Sequence, residues 1–580
     1  MTNADVSRAL EQLADLMEIQ GEDSFRVSSY RRAARSIDDL ARDVREVAAR
    51  GGLAKLPGVG KSIAEKIEEL LTKGTLSQLE ELKTHVPASL LDLLRIPGLG
   101  PKKAAVLWRE RGVDSLASLQ AAIDRGVLAD LKGFGAKSVE KLREGLEFVQ
   151  KAAGRTRLGR AWEIAADFRE AVAHLPGVRR VEVAGSLRRG SETVGDLDLL
   201  CVSDDGRTVI DAFTKLPTVA NVLASGETKA SILTDAGEDR QIQVDLRVVP
   251  AASFGAAWQY FTGSKAHNVR LREMAVKRGW TLNEYALSES ASGKVLAGVD
   301  EAGIYAALGL PWIPPELRED RGEFELRQTP TDLLELSQIR GDLHMHSTAS
   351  DGRSSVEEMA IAAQGRGYSY LCITDHSRSS VIANGLSVER LVEQIANVRA
   401  LAKRMKGIEL WIGAEVDIHS DGTLDYPDEL LAKLDWVVAS IHVGASSDIA
   451  ANTQRAIAAM RNRYVNVLAH PTGRLINRRD AYALDVEALA RAAAATGTAL
   501  EINASTYRLD LKDQHARLAR DMGAMICINC DAHRTDQLDQ MMFGVLTARR
   551  AGLRAQDVLN TRDAAGVRDF VRAKREQGAV

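Results

Sequence analysis

The chain has 580 residues, of which 45% are hydrophobic and 27% charged, with a formal net charge of −4; this is the profile of an ordinary soluble protein long enough for several domains. It has no apolar run long enough to span a bilayer, no amino-terminal charged-then-apolar signal and only four scattered cysteines, so the expectation is a cytoplasmic protein in a reducing compartment. The acidic balance excludes a broad basic surface, and any nucleic-acid contact has to come from backbone amides and local clusters such as Arg31, Arg32 and Arg35, Lys102 and Lys103, or Arg155, Arg157 and Arg160. Each cluster alone reads as a solvated helix face.

The first quarter carries an internal repeat: LPGVGKSIAEKI from Leu56, IPGLGPKKAAVL from Ile96 and LKGFGAKSVEKL from Leu131. Each runs hydrophobic, any, Gly, hydrophobic, Gly, and then an amphipathic helix. The glycine pairs Gly58 and Gly60, Gly98 and Gly100, and Gly133 and Gly135 permit a tight turn with amides pointing outward at a helix start, an anion site suited to phosphate. One copy could be a simple helix-helix turn. Three copies resemble helix-hairpin-helix elements, which grip the DNA backbone without reading sequence, with Lys102 and Lys103 beside the second.

Residues 181 to 250 turn β-rich, from VEVAGSLRRGSETVGDLDLLCV to QIQVDLRVVP. Asp196 and Asp198 stand two apart in a strand pattern, so both carboxylates project to one face, and Asp245 begins the apolar half of another strand. Three converging carboxylates together with substrate phosphates can hold two Mg²⁺ ions for in-line phosphoryl transfer. The turn at Gly185 and Ser186, with Arg188 and Arg189, offers amides, a hydroxyl and guanidinium forks to a triphosphate.

In the last two fifths, short buried-strand runs end in potential ligands: YLCITDH at His376, ELWIGAE at Glu415, WVVASIH at His442, VNVLAH at His470, and AMICINCDAH at Asp531 and His533. His344, His346 and Asp351 precede them, and ALEIN, reaching Glu501 and Asn503, has the same shape. Functional residues at the carboxyl ends of strands are how a (β/α) barrel builds its active face, and the mixture of imidazole and carboxylate suits Zn, Mn or Fe. Cys527 and Cys530 face opposite ways on a strand and read as core, and His85, His174, His419 and His515 read as surface or core groups.

HMHSTASDG, ITDH, GAE, SIH, AHP and DAH resemble the motifs of the PHP (polymerase and histidinol phosphatase) domain over roughly residues 340 to 575. That resemblance implies a distorted (β/α)7-type barrel with a trinuclear Mn²⁺ or Zn²⁺ site formed by His344, His346, Asp351, His376, Glu415, His442, His470, Asp531 and His533. Asp351 stands where some relatives carry a histidine. The middle segment is similar to the nucleotidyltransferase superfamily. Within it the string LPGVG, GLGP, GSLRRG, GDLDLL, GETK, VDLRVVP, YFTGSKAHNVRLR, LNEY and LPWIPPELRE resembles family X DNA polymerases such as DNA polymerase beta, over roughly residues 1 to 320. With the PHP segment attached, the arrangement resembles the bacterial and archaeal PolX form of that family.

The resemblance implies that Asp196, Asp198 and Asp245 hold the Mg²⁺ ions, with Asp245 nearest the primer 3′-hydroxyl. It implies that Gly185, Ser186, Arg189 and Gly195 bind the triphosphate, that Tyr260, Phe261, Gly263 and Ser264 pack on the incoming sugar, and that Asn268 and Arg272 touch the nascent pair. Two departures matter. Lys265 replaces an acidic residue and puts positive charge near the nucleotide, and Gln243 replaces the arginine beside the third aspartate. Lys66 matches the Schiff-base lysine of the family's 5′-deoxyribose-phosphate lyase, with Tyr30 in its pocket, but Phe25 and Ser62 stand where a histidine and a lysine help to bind the 5′-phosphate.

The expected multidomain α/β architecture is a lyase-like helical domain over 1–80, a helix-hairpin-helix domain over 81–150, a palm with a mixed sheet over 151–250, a thumb over 251–320, a linker over 321–340 signalled by its Pro and charge, and the PHP barrel over 341–580. The expected function is a monomeric, nucleoid-associated polymerase that uses dNTPs to fill short gaps in DNA during base excision repair. Its Mn²⁺-dependent nuclease would trim 3′ ends or cut at abasic sites. The alternatives are a small-molecule phosphatase with a vestigial polymerase, and a non-catalytic end-binding scaffold.

Overall fold

The computed structural model describes residues 3–577 apart from 39–43, 57, 95, 97, 98, 129, 132, 153, 154, 238, 239, 443 and 445–447. Gly98, expected in the second hairpin, lies outside the described residues. The chain divides into two compact units, one formed by residues 1–153 with 477–479 and the other by the rest.

The amino-terminal unit is helical around a core that includes Leu10, Leu13, Met17, Tyr30, Ile67, Leu107 and Phe134. The described parts of the three repeats share one backbone hydrogen bond. The N–H groups of Val59, Leu99 and Phe134 donate to the carbonyls of Leu56, Ile96 and Leu131 at 3.0 Å each. The following helices, Lys61–Lys73, Pro101–Arg111 and Ala136–Ala152, begin just after Gly60, Gly100 and Gly135. The middle apolar residue of each repeat is buried as a plug, so the sequence pattern sets the turn through burial as well as through glycine. At Gly58 the φ is +75° and a Cβ would stand 2.8 Å from Arg32 Cβ, so the turn and the close helix approach both require glycine.

In the second unit a five-stranded sheet has the order Arg180–Val183, Asp196–Val202, Arg240–Val249, Lys229–Gly237, Asn221–Ser225. The second and third strands are parallel, with Asp198 opposite Asp245 and Asp196 opposite Gln243. Helices Leu158–Ala173 and Gly206–Phe213 contribute Ile164, Phe168, Ile210 and Phe213 to its core. Helices Phe254–Thr262, Lys265–Val276 and Glu301–Ala307 follow, with a small three-stranded antiparallel sheet. A buried triad fastens this segment to the palm: Glu301 accepts paired bonds from Arg188 (2.7 and 2.8 Å) and from Arg318 (2.6 and 3.0 Å). Glu323, inside the expected linker, is buried 2.8 Å from His267 Nδ1, so that stretch begins folded onto the thumb.

The carboxyl-terminal segment is a seven-stranded, all-parallel sheet in sequential order. It is drawn toward closure where His346 N–H donates to Ala532 O (2.8 Å) and Asp531 N–H to His344 O (3.0 Å). Alternate strand residues sort into two clusters, Leu371, Ile373, Val437 and Ile528 in one, Tyr370, Cys372, Trp436, Val438 and Cys527 in the other. Cys527 and Cys530 fall in different clusters and are both buried, in line with the core reading.

Candidate active sites in the palm and the barrel

The palm site follows from strand periodicity. Asp196 and Asp198 leave the same face of one strand, and the parallel register sets Asp245 beside Asp198. Gly185, at φ +64°, closes the site from the side, where a Cβ would meet Asp198 Oδ2 at an impossible 2.4 Å. Burial, with Asp196 and Asp245 close by, pushes Asp198 up to about 7. Burial also works against ionised Asp245, but bonds from Gln243, Ser231 and Lys229 outweigh it and hold that carboxyl below its ordinary range. Gln243 Nε2 donates to Asp245 Oδ1 at 2.8 Å, and Lys229 Nζ lies 3.1 Å from Oδ2. The glutamine thus holds the third aspartate through a neutral bond.

A cavity of about 420 Å³ opens beside the aspartates, and Gly185, Ser186, Arg189, Tyr260, Phe261, Gly263, Ser264, Lys265, Asn268 and Arg272 all line it with Asp196 and Asp198. Of the expected palm residues, Arg188, Gly195 and Asp245 do not line it. Asn268 is fixed from both ends, accepting from Gln259 Nε2 and donating to Tyr260 O, each at 2.7 Å. Arg188, expected to offer a fork to a triphosphate, is a correction: its guanidinium is spent on Glu301 and Thr262 and lies 3.4 Å from the centre of the Trp258 ring. Arg189 Nε donates to Glu319 Oε1 (3.0 Å) and its Nη1 to Thr262 O (2.6 Å).

In the barrel all nine expected ligands converge. Glu415 sits at the centre, with His376 Nδ1 at 2.9 Å and His344 Nε2 at 3.5 Å from Oε2, and His470 Nε2 at 3.0 Å and His442 Nε2 at 3.2 Å from Oε1. Asp531 Oδ1 lies 3.0 Å from His346 Nε2, and Asp351 Oδ2 lies 3.3 Å from His533 Nε2. Among the described residues, three groups of donors are close enough to share a cation: His346, Asp351, His376 and His533; His344, His346 and Asp531; and His376, Glu415 and His442. Two ligands, His470 and Asp531, hold positive φ values of 27° and 53°, a backbone strain concentrated at the site.

The donor set fits divalent cations. His344 Nε2 and Glu415 Oε2 are buried and form no hydrogen bond, an uncompensated pair of polar atoms unless a cation takes both. Burial, with His376 and His533 adjacent, pushes His346 down to about 3, so it is a neutral donor near pH 7. Two imidazoles are oriented from behind by carboxylates outside the nine: His344 Nδ1 lies 2.8 Å from Glu501 Oε1, and His442 Nδ1 lies 2.6 Å from Asp417 Oδ1.

The amino-terminal family pattern described as a helix-hairpin-helix domain matches residues 1–76, and a SAM-like helix-hairpin-helix tandem matches 90–147. The DNA polymerase beta thumb matches 257–319 and the PHP domain 342–505. Over 572 residues the chain is 40% identical to the DNA polymerase/3′-5′ exonuclease PolX of Bacillus subtilis, covering 99% of this chain and 100% of that one. The chain belongs to the PolX family. DNA polymerase lambda of Rattus norvegicus is 30% identical over 344 residues, 55% of this chain and 56% of its own. A protein described as a probable phosphatase, from Thermoanaerobacter sp. strain X514, is 30% identical over 247 residues, 41% of this chain and 96% of its own.

Among the described residues, contributors to the PolX barrel site outside the nine expected ligands include Asp417, Glu501, Arg508 and Asn503, whose Nδ2 donates to Asp531 Oδ2 at 3.1 Å. Asp417 is two residues beyond Glu415 on the same strand, so the period that found Glu415 also points to it. Glu501 lay in the ALEIN run, with no signal in that run for its partner His344. Arg508, whose Nε is 3.6 Å from Asp531 Oδ2, comes from a loop with no periodicity.

In the amino-terminal unit, Arg31 is taken by Asp15 (2.7 Å) and Glu18 (2.6 Å), whereas Lys102 is exposed on the face that begins the second hairpin helix. Lys66 is half-buried on its helix, Tyr30 is buried with its hydroxyl 3.5 Å from Gln78 Oε1, and Phe25 is 74% exposed.

Proposed function

We propose that the chain fills short gaps in duplex DNA at the palm and trims 3′ ends in the barrel, with separate residues serving each reaction. As a member of its family it is a DNA-directed DNA polymerase with a PHP-domain 3′-5′ exonuclease, and divalent cations are implied for both. The observation that supports the reading is the coexistence of two donor sets, three neighbouring aspartates at a cavity and nine potential ligands converging in the barrel.

In the palm, Asp196, Asp198 and Asp245 would hold two Mg²⁺ ions, which supply charge neutralisation at the transferring phosphate when bound. Ser186 and Arg189 bind the triphosphate of an incoming dNTP, Gly195 closes the same loop, and the Tyr260–Phe261 step with Gly263 and Ser264 packs on its sugar. Asp245, held ionised by Gln243 and Lys229, is the acceptor for the primer hydroxyl proton. Asn268 and Arg272 contact the nascent pair, and Lys265 adds positive charge at the cavity rim.

In the barrel the nine ligands would hold up to three Mn²⁺ or Zn²⁺ ions, and Arg508 supplies positive charge beside the scissile phosphate. The glycine turns at 58–60, 98–100 and 133–135, with Lys102 and Lys103, hold the DNA backbone irrespective of sequence. Lys66 acts chiefly as a backbone contact with weak lyase chemistry, because Phe25 and Ser62 give a 5′-phosphate no charge. The protein works as a monomer in the cytoplasm, at the nucleoid.

A 5′-labelled primer bordering a one-nucleotide gap, given dNTPs with Mg²⁺ or Mn²⁺, tests this reading. Extension and Mn²⁺-favoured shortening are expected as opposite ladders. A chain that hydrolyses only small phosphate monoesters and neither extends nor shortens the primer supports the phosphatase alternative.

A further inference from the structure

We propose that Arg550, a side chain of the PHP domain, is a positioning residue for the nucleotide site of the polymerase and acts on it through Glu319 and Arg189. The proposal rests on the reading of Arg189 as a triphosphate ligand.

The helix Met541–Arg550 touches both halves of the second unit. At one face Gly544 lies so close to the barrel that a Cβ would stand 2.5 Å from Ile528 and 2.8 Å from Ala504. Its other face meets the palm: Phe543 packs edge-on against Trp162 at 6.2 Å, and Leu546 packs against the palm core. The contact reaches the nucleotide turn itself. Gly190, the residue after Arg189, has φ +67°, and a Cβ there would lie 3.4 Å from Leu546 and 3.6 Å from Arg550.

Arg550 ends this helix with its fork fully engaged. Nη1 donates to the backbone carbonyl of Arg189 (2.8 Å) and to Glu319 Oε1 (3.0 Å), and Nη2 lies 3.0 Å from Asp513 Oδ2. The same Glu319 oxygen accepts Arg189 Nε at 3.0 Å. Arg321 Nη1 closes the row on Asp513 at 2.9 Å. Arg550, Arg189 and Glu319 expose 10%, 15% and 16% of their side chains, so solvent screens these charges little. Glu319 stays ionised: burial opposes this, but Arg189 and Arg550 hold its carboxyl below the usual range.

The row links three guanidinium groups through two carboxylates, and Arg189 at its end lines the nucleotide cavity. Glu319 shared between two arginines puts less of its charge on Arg189, which leaves that fork for an anion. With Arg550 removed, Glu319 would be left to Arg189 alone, one positive charge would be lost beside the pair, and the Arg189 carbonyl would lose its anchor. A triphosphate would then bind less tightly, while the aspartates that handle the reacting atoms would be untouched.

Single-nucleotide gap filling by the full chain, with Mn²⁺-dependent shortening measured on the same preparations, tests this. Arg550→Ala should raise KM for the incoming dNTP roughly tenfold with kcat within about twofold, and leave nuclease activity within about twofold. Arg550→Lys keeps the charge but not the fork, and should raise KM only about threefold; it carries the test if the alanine variant does not fold. In a Glu319→Gln background, Arg550→Ala should shift KM by less than about twofold, because the route is gone.

An unchanged KM in Arg550→Ala, an equal shift in both backgrounds, or kcat and nuclease activity falling together would overturn the proposal, the last marking Arg550 as a packing staple. Arg189→Gln separates the two levels. If Arg189→Gln leaves KM for dNTP unchanged, the reading of Arg189 is wrong. If it raises KM while Arg550→Ala does not, only the role of Arg550 is lost.

Discussion

The palm and the barrel hold their donors in opposite ways. In the palm Asp196 and Asp198 line an open cavity with Asp245 beside Asp198, and burial first, then repulsion from the other two carboxylates, pushes Asp198 up to about 7. In the barrel nine donors crowd together, most of them buried and several with a nitrogen or oxygen left without a hydrogen bond, and Glu501 and Asp417 orient His344 and His442 from behind. On the function proposed above, the difference is that of a shell completed by substrate phosphates in the palm and a nearly complete protein shell for cations in the barrel.

The largest expected effect concerns what keeps the open site in shape. The Arg188–Glu301–Arg318 triad is buried, and removing its one anion strands two guanidinium groups. Glu301→Gln should therefore destabilise the palm and thumb by about 3–5 kcal/mol, read as a lower denaturant midpoint. Burial alone would raise Glu301, but Arg318 and Arg188 hold it far below its ordinary 4.5. A depressed carboxyl contributes stability in full above its unfolded value and loses it as pH falls through the folded one, so the contribution persists at neutral pH and disappears only in strong acid. A loss below about 1 kcal/mol at neutral pH, the size of an exposed pair, would mean that the triad does not brace the site.

A smaller effect sharpens the barrel side. Glu501→Gln or Asp417→Asn keeps every ligand but weakens the hold on His344 or His442, and should cost about 10–100-fold in metal affinity and nuclease activity. Gap filling should not change. Metal content, measured after dialysis, should fall with the nuclease; full metal retention would show that orientation from behind is not what makes the barrel site.

The smallest effect lies outside both sites. Affinity for gapped DNA should fall with salt on a log-log slope of about −0.9 per phosphate contacted, with little dependence on sequence, and Lys102→Ala should flatten that slope by about one contact. A slope indifferent to salt would remove the glycine turns from DNA binding.

Both sites were legible in the sequence to the extent that they follow strand period. Asp196 with Asp198, and the ligands closing the barrel strands, are fixed by residues two apart or at strand ends, and the glycine repeat declares itself by recurrence. What escaped depends on partners far apart in the chain. Arg188 offers the same fork as Arg189 in sequence, and only the fold shows that Glu301, 113 residues on, takes it. Arg550 lies 361 residues from the carbonyl it holds, and no local pattern encodes such a pairing. Asp417 was within reach, two residues past Glu415, but Arg508 sits on a loop where spacing carries no orientation.

The central claim is that two sites act independently within one chain, and a pair of double variants tests it most directly. On a labelled primer at a one-nucleotide gap, Asp196→Ala with Asp198→Ala should lower extension on the order of a thousandfold or more, the loss of several kcal/mol of charge stabilisation, while Mn²⁺-dependent shortening continues. His344→Ala with His346→Ala should show the reverse. Loss of both activities in either variant, still folded by circular dichroism, would contradict the account and point to one shared site.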